Sequence, residues 1–297
     1  MGLRIPNDVK DFLRDVFSQC NFAATKKLST NPNVPEQYLD VSLIEILTAH
    51  ASPMRLDSGW TVRIETHYLG GLRHVQNWEI ADIGILLSVR SVYQPRVMKV
   101  ALLQSKRLYP ENSQVKELLS VDFEIGIGRL LDPEDDQPFH ARLNPTTFNF
   151  EPRSRYQQLP AKDHQYKLIE KYETENKLKV YYSLYNPWTI PFRTVIPVES
   201  FRTPDGPCTA GIRIIPSSTL RSTLKNRKVG YSPSHDDVRA CHNDGGWRLE
   251  EFIADYFLEC TEGDVFTSRQ DERIYSLFNR RSGPIAASIA INLESPE

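Results

Sequence analysis

Residues 78–107, WEIADIGILLSVRSVYQPRVMKVALLQSKR, decide the fold. Two runs rich in aliphatic and β-branched residues flank the short link SVYQP, so they predict strands over 78–90 and 96–108 joined as an antiparallel hairpin. The second strand closes on Gln104, Ser105 and Lys106, and side-chain alternation places Gln104 and Lys106 on one side. Because an unpartnered buried lysine is costly, either the strand emerges into water here or a negative group lies beside it.

The helices and strands on either side of this hairpin are predicted from the spacing of apolar residues and from the capping and turn residues at their ends. Apolar stripes and caps predict helices over 7–24, 35–51, 161–177, 217–226 and 246–260. Shorter β-rich runs predict strands over 60–69, 178–187 and 209–216. The link LGGLRH predicts that strand 60–69 pairs directly with strand 78–90. From 35 to 187 the predicted order is helix, strand, strand, strand, helix, strand.

Composition excludes several classes of protein. The chain has 297 residues, 40% of them hydrophobic and 25% charged, as in a folded soluble protein. Its net charge of −2 gives no global affinity for nucleic acid, so any polyanion site is a local patch. We expect a cytoplasmic protein, because no apolar run has the length of a membrane span and the N-terminus lacks a signal-peptide core. The sequence contains no phosphate-binding loop and no serine nucleophile elbow.

Asp82 on the second strand, Gln104-x-Lys106 on the third and the element order around them resemble the PD-(D/E)xK phosphodiesterases, the restriction-endonuclease-like nucleases. The spelling with glutamine is similar to the Mrr-like QxK variant. The resemblance implies an α/β fold with an αβββαβ core, a mixed sheet flanked by helices. That core would occupy residues 1–190 with the N-terminal helix. Residues 191–297 would form a C-terminal α/β extension, separate or part of the same domain.

The resemblance also implies roles for individual residues. Asp82 would bind the metal, Gln104 would stand where the family usually has Glu or Asp, and the Ser105 carbonyl would be a further ligand. Lys106 would lie against the attacking water or the scissile phosphate. The expected cofactor is Mg²⁺, with Mn²⁺ as the alternative, since hard cations take oxygen ligands.

A neutral glutamine leaves Asp82 in need of a second carboxylate, and the sequence offers Glu79, Glu65 and Glu45. Glu79 is three positions before Asp82, so it shares a side with Asp82 only if a bulge intervenes; it is also counted among the expected catalytic residues. Glu65 would reach across from the neighbouring strand. Glu45 would be the helix carboxylate that many members of the family use. The sequence does not choose among them.

The expected function is metal-dependent cleavage of a phosphodiester backbone, of DNA rather than RNA, by a prokaryotic restriction or phage-defence effector. A partner protein or self-assembly would supply binding, and no membrane is involved. The alternative is a catalytically silent nucleic-acid-binding or assembly subunit on the same fold. Residues proposed to contact nucleic acid are Arg107, His164, Gln165, Arg221 and Lys225.

Overall fold

A computed structural model describes residues 5–68, 80–91, 94–111, 146–196, 206–242, 244–259, 261–266, 268, 271–278 and 283–296. These residues form a mixed α/β fold in which helices flank a central sheet of parallel and antiparallel strands. None of the helices in the described ranges combines the length and apolar character needed to span a bilayer.

The predicted helices and strands are present, with ends that differ by a few residues. The helices are α1 Asn7–Thr30, α2 Glu36–Thr48, α3 His164–Asn176, α4 Ser217–Leu224, α5 His235–Arg239, α6 Leu249–Glu251, which continues as a π-helical turn over Phe252–Phe257, and α7 Glu272–Phe278. The strands are β1 Met54–Arg55, β2 Thr61–Tyr68, β3 Ala81–Ser91, β4 Gln94–Arg107, β5 Thr146–Phe150, β6 Val180–Tyr185, β7 Phe192–Ile196, β8 Arg213–Pro216, β9 Trp247–Arg248, β10 Asp264–Phe266 and β11 Ile285–Glu294.

Strand β4 lies near the middle of the sheet, whose order is β1-β2-β11-β3-β4-β6-β8-β9, while β10 also pairs with β4. The predicted β3–β4 hairpin is confirmed, with Ile83 opposite Leu103 in an antiparallel register. Strand β6 runs parallel to β4, with Leu102 opposite Val180, so a crossover containing α3 joins them. Strands β5 and β7 pair in a separate ribbon.

The predicted direct pairing of strands 60–69 and 78–90 was wrong, because β11 lies between β2 and β3. It pairs antiparallel with β2 and parallel with β3. Gly84 provides room for this insertion, since a Cβ at that position would lie 2.6 Å from Ile285 Cδ1. Residues 191–297 thus contribute β8 to β11 to the same sheet as the hairpin.

The helices bring the start of α2 to the end of β4. The buried stripe of α1, including Val9, Leu13 and Phe17, belongs to the same core cluster as the strands. Helix α1 packs against α2 and against the helical segment formed by α6 and the π-helical turn. Helix α2 in turn contacts β2 and β4. The first turn of α2 therefore meets the strand end that carries Gln104 and Lys106.

Candidate active site

Asp82 and Gln104 meet across the β3–β4 hairpin. Because Ile83 is opposite Leu103, the antiparallel register places Asp82 opposite Gln104. The Gln104 amide Nε2 donates a hydrogen bond to Asp82 Oδ2, and the Ser105 backbone N donates to the same oxygen at 2.7 Å. Gln104 is buried, whereas Asp82 is half-buried. Three predicted site residues thus lie together at the end of the hairpin.

Lys106, two residues after Gln104, lies next to the carboxylate of Glu36, the first residue of α2. Lys106 Nζ is 3.6 Å from Glu36 Oε2, and the two side chains are only 6% and 12% exposed. The other oxygen, Glu36 Oε1, accepts a hydrogen bond from the Arg107 backbone N at 2.9 Å. The ammonium is therefore buried with an opposite charge, which answers the question that the sequence raises about this strand end.

Asp40 adds a further carboxylate, one helical turn after Glu36. It is buried, and its Oδ1 accepts hydrogen bonds from Ser105 Oγ and from Tyr185 OH, each at 2.6 Å. Ser105 thus contacts Asp82 through its backbone N and Asp40 through its hydroxyl. The polar cluster, as we name it, consists of Glu36, Asp40, Asp82, Gln104 and Lys106.

The carboxyl groups of the polar cluster oppose one another's ionisation. Burial is the main cause that raises the pKa of Asp40 well above its ordinary value, and the charge of Asp82 raises it further. Burial also raises the pKa of Glu36, against the opposing effect of the Lys106 charge. When several carboxyl groups lie close together in a site of low dielectric, the binding of a proton or a cation becomes more favourable. Perturbed groups of this kind are enriched at functional sites.

The amide oxygen of Gln104 is the observation that points to a cation. With Nε2 engaged by Asp82, Gln104 Oε1 is buried and finds no hydrogen-bond partner among the described residues. No group of three His, Cys, Asp or Glu side chains within the described ranges is arranged to hold a metal ion. Mg²⁺ needs fewer, since it takes one or two carboxylates and leaves its other positions to water and substrate phosphate. The polar cluster therefore contains oxygen donors of the kind that Mg²⁺ and Mn²⁺ take.

The structure places the three nominated glutamates outside the polar cluster or does not describe them. Glu45 is exposed, since five residues past Asp40 its side chain leaves α2 about 140° further round. Glu65 forms an ion pair with Arg63 on β2 and is opposite Ala290 of β11. The insertion of β11 is the reason that Glu65 does not neighbour Asp82. Glu79 lies outside the described residues.

Of the five residues proposed to contact nucleic acid, two have side chains that bind other parts of the protein and three are more accessible. Arg107 is buried; its guanidinium donates to the Pro32 carbonyl and lies 3.7 Å from the centre of the Tyr109 ring. Arg221 forms an ion pair with Glu173 and donates to Ser217 Oγ at 2.9 Å. The remaining three are more accessible: His164 and Lys225 are exposed, and Gln165 is half-buried.

Sequence reasoning missed Glu36, Asp40 and Tyr185. A signal for the first two was available, because Glu36 and Asp40 extend the spacing of the apolar stripe Leu43, Ile44 and Leu47 towards the start of α2. A carboxylate in register with a buried stripe indicates a polar contact inside the fold. Tyr185 offered no such signal, since its neighbours on β6 are also buried.

Comparisons with models of protein families, with curated proteins and with solved structures find no match to this chain.

Proposed function

We propose that this protein is a metal-dependent nuclease that cleaves the phosphodiester backbone of DNA, built on a restriction-endonuclease-like core. The carrying observation is the convergence of Asp82, Gln104 and Lys106 on two further buried carboxylates, with Gln104 Oε1 left unpartnered among the described residues. Apart from the short β1 and the ribbon strand β5, the element order α2, β2, β3, β4, α3, β6 supports the same family, although β11 separates β2 from β3. The proposal includes a role in prokaryotic restriction or phage defence.

Asp82 and Gln104, with Asp40, would hold the cation. A bound Mg²⁺ would polarise the phosphodiester and lower the pKa of a coordinated water. The chain itself orients these donors: the Ser105 backbone N and the Gln104 amide fix the direction of the Asp82 carboxylate. Since Asp82 is the half-buried acid beside a buried amide, the phosphate would approach from its side of the polar cluster.

Lys106 would stabilise the charge that develops on the phosphorane. A preorganised cation in a site that excludes water acts more strongly than one in solvent. Glu36 holds the ammonium in place from α2 and so acts as a positioning residue. Burial of this ion pair limits the number of positions that the lysine can take up.

The test is cleavage of supercoiled plasmid and of linear DNA, with a matched single-stranded RNA, in Mg²⁺, Mn²⁺ or EDTA. We expect metal-dependent cleavage by the wild type and loss of it in Asp82→Asn. The control is Asp264→Asn, a half-buried aspartate on β10 that accepts a hydrogen bond from the Lys179 backbone N at 2.7 Å. Binding of Mn²⁺ followed by electron paramagnetic resonance should weaken in Asp82→Asn alone.

Each outcome separates the proposal from its alternative. DNA binding without cleavage in either metal, together with no Mn²⁺ binding, would favour a catalytically silent nucleic-acid-binding or assembly subunit. Cleavage that persists in Asp82→Asn would place the active site elsewhere. Cleavage of RNA in preference to DNA would overturn the assigned substrate.

A further inference from the structure

A cavity of about 250 Å³ lies between the start of β8, helix α5 and the loop that follows β6. No member of the polar cluster lines it. Its polar walls include Arg213, His235, Arg239, Thr209 and the carboxylate of Asp244. Its apolar walls include Tyr156, Ile190 and Val238. The cavity is somewhat smaller than most sites for drug-sized ligands, so it suits a small molecule.

Arg213 is the central charge of this cavity. Its guanidinium donates to three main-chain carbonyls: Nε to Ala210 at 2.9 Å, Nη1 to Gly246 at 3.2 Å and Nη2 to Thr209 at 2.5 Å. A guanidinium has five N–H donors, so two remain. Within the described ranges no carboxylate forms an ion pair with Arg213. The carbonyls fix the guanidinium without neutralising it.

The turn that supplies one of these carbonyls can be formed only with glycine. Gly245 and Gly246 have φ values of +95° and +105°, and a Cβ on Gly246 would lie 2.5 Å from the Ile214 carbonyl oxygen. This close approach brings the Gly246 carbonyl to the Arg213 guanidinium. The orientation of Arg213 is therefore set by local backbone geometry before any ligand binds.

Of the charged groups that line the cavity, Arg213 and Arg239 are positive and Asp244 is negative, so the lining carries one positive charge in excess. The charges of Glu251 and Asp244 also act on Arg213. Arg239 forms an ion pair with Asp244, and Arg248 pairs with Glu250 at 2.5 Å. His235 contributes an imidazole whose Nδ1 is buried and has no hydrogen-bond partner among the described residues. Burial is the main cause that lowers the pKa of His235, so the ring is neutral near pH 7. An anion is the ligand that would complete this arrangement.

We propose that this cavity binds the phosphate group of a small phosphomonoester, with Arg213 as its anchor. A phosphomonoester carries a charge between about −1.5 and −2 near neutral pH and offers three strong acceptor oxygens. Its oxygens would accept from Arg213 and from the Nη groups of Arg239, whose Nε donates to Asp244, and its organic part would contact Val238 and Ile190. This site is independent of the proposed nuclease function, since it shares no residue with the polar cluster.

The test measures the thermal stability of the full chain with increasing concentrations of inorganic phosphate and of glycerol 3-phosphate. Glycerol, sodium chloride and sodium acetate at matched ionic strength are the reference solutes. A ligand that binds only the folded state raises the midpoint with concentration, so the phosphate compounds should raise it above every reference. Arg213→Gln should weaken the apparent affinity by about tenfold or more, because charge-assisted hydrogen bonds are lost.

Two further variants, a second change in the cavity and a control outside it, complete the test. Arg239→Gln alters a side chain that is 60% exposed, so it decides the question if Arg213→Gln does not fold, and it should weaken phosphate binding as well. Arg63→Gln on β2 is the control and should bind as the wild type does. An equal shift with acetate would overturn the assignment of phosphate. No shift in the wild type, or an unchanged shift in both cavity variants, would overturn the site.

Discussion

Strand β4 carries two buried lysines, and the difference between them separates a structural lysine from a candidate catalytic one. Lys99 is completely buried; its Nζ donates to the Phe257 main-chain carbonyl and lies 4.8 Å from the centre of the Phe257 ring. Lys106 is almost as buried, but its contact is the carboxylate of Glu36. Both lysines are therefore buried, but Lys99 contacts a main-chain carbonyl and an aromatic ring, whereas Lys106 contacts a carboxylate.

At Lys99 the ammonium stabilises the fold. Phe257 is the last residue of the π-helical turn, where carbonyls lack helical partners, and the lysine serves one of them. At Lys106 several carboxyl groups oppose one another's ionisation around a buried amide. The contacts from Lys106, Ser105 and Tyr185 do not offset the effect of burial on the pKa of Glu36 and Asp40, so the arrangement costs stability, which is expected where a site is kept for a ligand.

The sharpest test of this comparison replaces each lysine by methionine, which keeps the chain length and removes the charge. Lys106→Met should lower the rate of DNA cleavage by about 10²–10³-fold, the usual cost of losing a group that stabilises transition-state charge. Lys99→Met should leave cleavage unchanged and should lower the free energy of unfolding by about 1–3 kcal/mol, because a buried carbonyl loses its donor. Single-turnover cleavage and urea unfolding measure the two effects.

Equal losses of cleavage in the two variants would break the comparison. Such a result would mean that both lysines act only through the stability of β4. Retained cleavage in Lys106→Met with an intact fold would remove Lys106 from the chemistry altogether.

The second test compares two glutamates of α2. Glu36→Gln should lower cleavage by about 10–100-fold, the usual range when an outer-shell partner of a site is lost. Glu45→Gln should have no effect, because Glu45 is exposed on another side of the helix. The turnover number should fall more than the apparent affinity for DNA, since Glu36 positions Lys106 and need not touch the duplex. Partial rescue by Glu36→Asp would support a positioning role, and a larger loss in Glu45→Gln would refute it.

These two glutamates also show how far the sequence could lead. The β3–β4 hairpin and the meeting of Asp82 with Gln104 could be predicted, because both depend on neighbouring strands and on alternation along them. The need for another carboxylate could be predicted from the neutral charge of Gln104. Its identity depended on which face of α2 packs on β4, and Glu36 and Asp40 lie on that face while Glu45 does not.

The position of Glu65 could not be predicted from local pattern. Direct pairing of strands 60–69 and 78–90 followed from their short separation in the chain, but the inserted strand comes from residues 285–294. Parallel pairing of β11 with β3 is a contact between distant parts of the chain, and nothing near Glu65 encodes it. Long-range pairing of this kind depends on the whole core.

The third test uses the pH dependence of stability. Asp40→Asn keeps an oxygen that can accept from Ser105 and Tyr185, and it removes a carboxylate whose ionisation is opposed. Because the pKa of Asp40 is raised in the folded state, its contribution to stability is fully present below about pH 4 and is lost as the pH rises through the folded value. At pH 8 the variant should therefore melt about 2 °C higher, roughly 1 kcal/mol for a chain of this size.

The control for this experiment has the opposite sign. Hydrogen bonds from Tyr231 and Ser234 outweigh the effect of burial and lower the pKa of Asp237, so its contribution is present at neutral pH and is lost on acidification. Asp237→Asn should destabilise the protein at pH 7, and the difference should shrink as the pH falls below about 4. Thermal melts from pH 3 to pH 8 measure both variants. A wild type that exceeds Asp40→Asn in stability at pH 8 would contradict the assignment.

The smallest expected effect compares two serines that lie opposite each other on β4 and β6. Ser105 and Ser183 are both fully buried and in register. Ser105 Oγ donates to Asp40, whereas Ser183 Oγ has no hydrogen-bond partner in the part of the chain that the structure describes. Ser183→Ala should raise the free energy of unfolding by up to about 1 kcal/mol, because a buried hydroxyl without a partner is removed.

Ser105→Ala should instead lower the free energy of unfolding at pH 8, because the buried Asp40 Oδ1 loses a hydrogen-bond donor. The two alanine variants remove the same atom from adjacent strands, so differences in packing largely cancel between them. Urea unfolding at pH 8 measures the contrast. Equal destabilisation by both would mean that the hydroxyl volume matters and the bond to Asp40 does not. The polar cluster would then lose the contact that joins Asp40 to the Asp82 side of the hairpin.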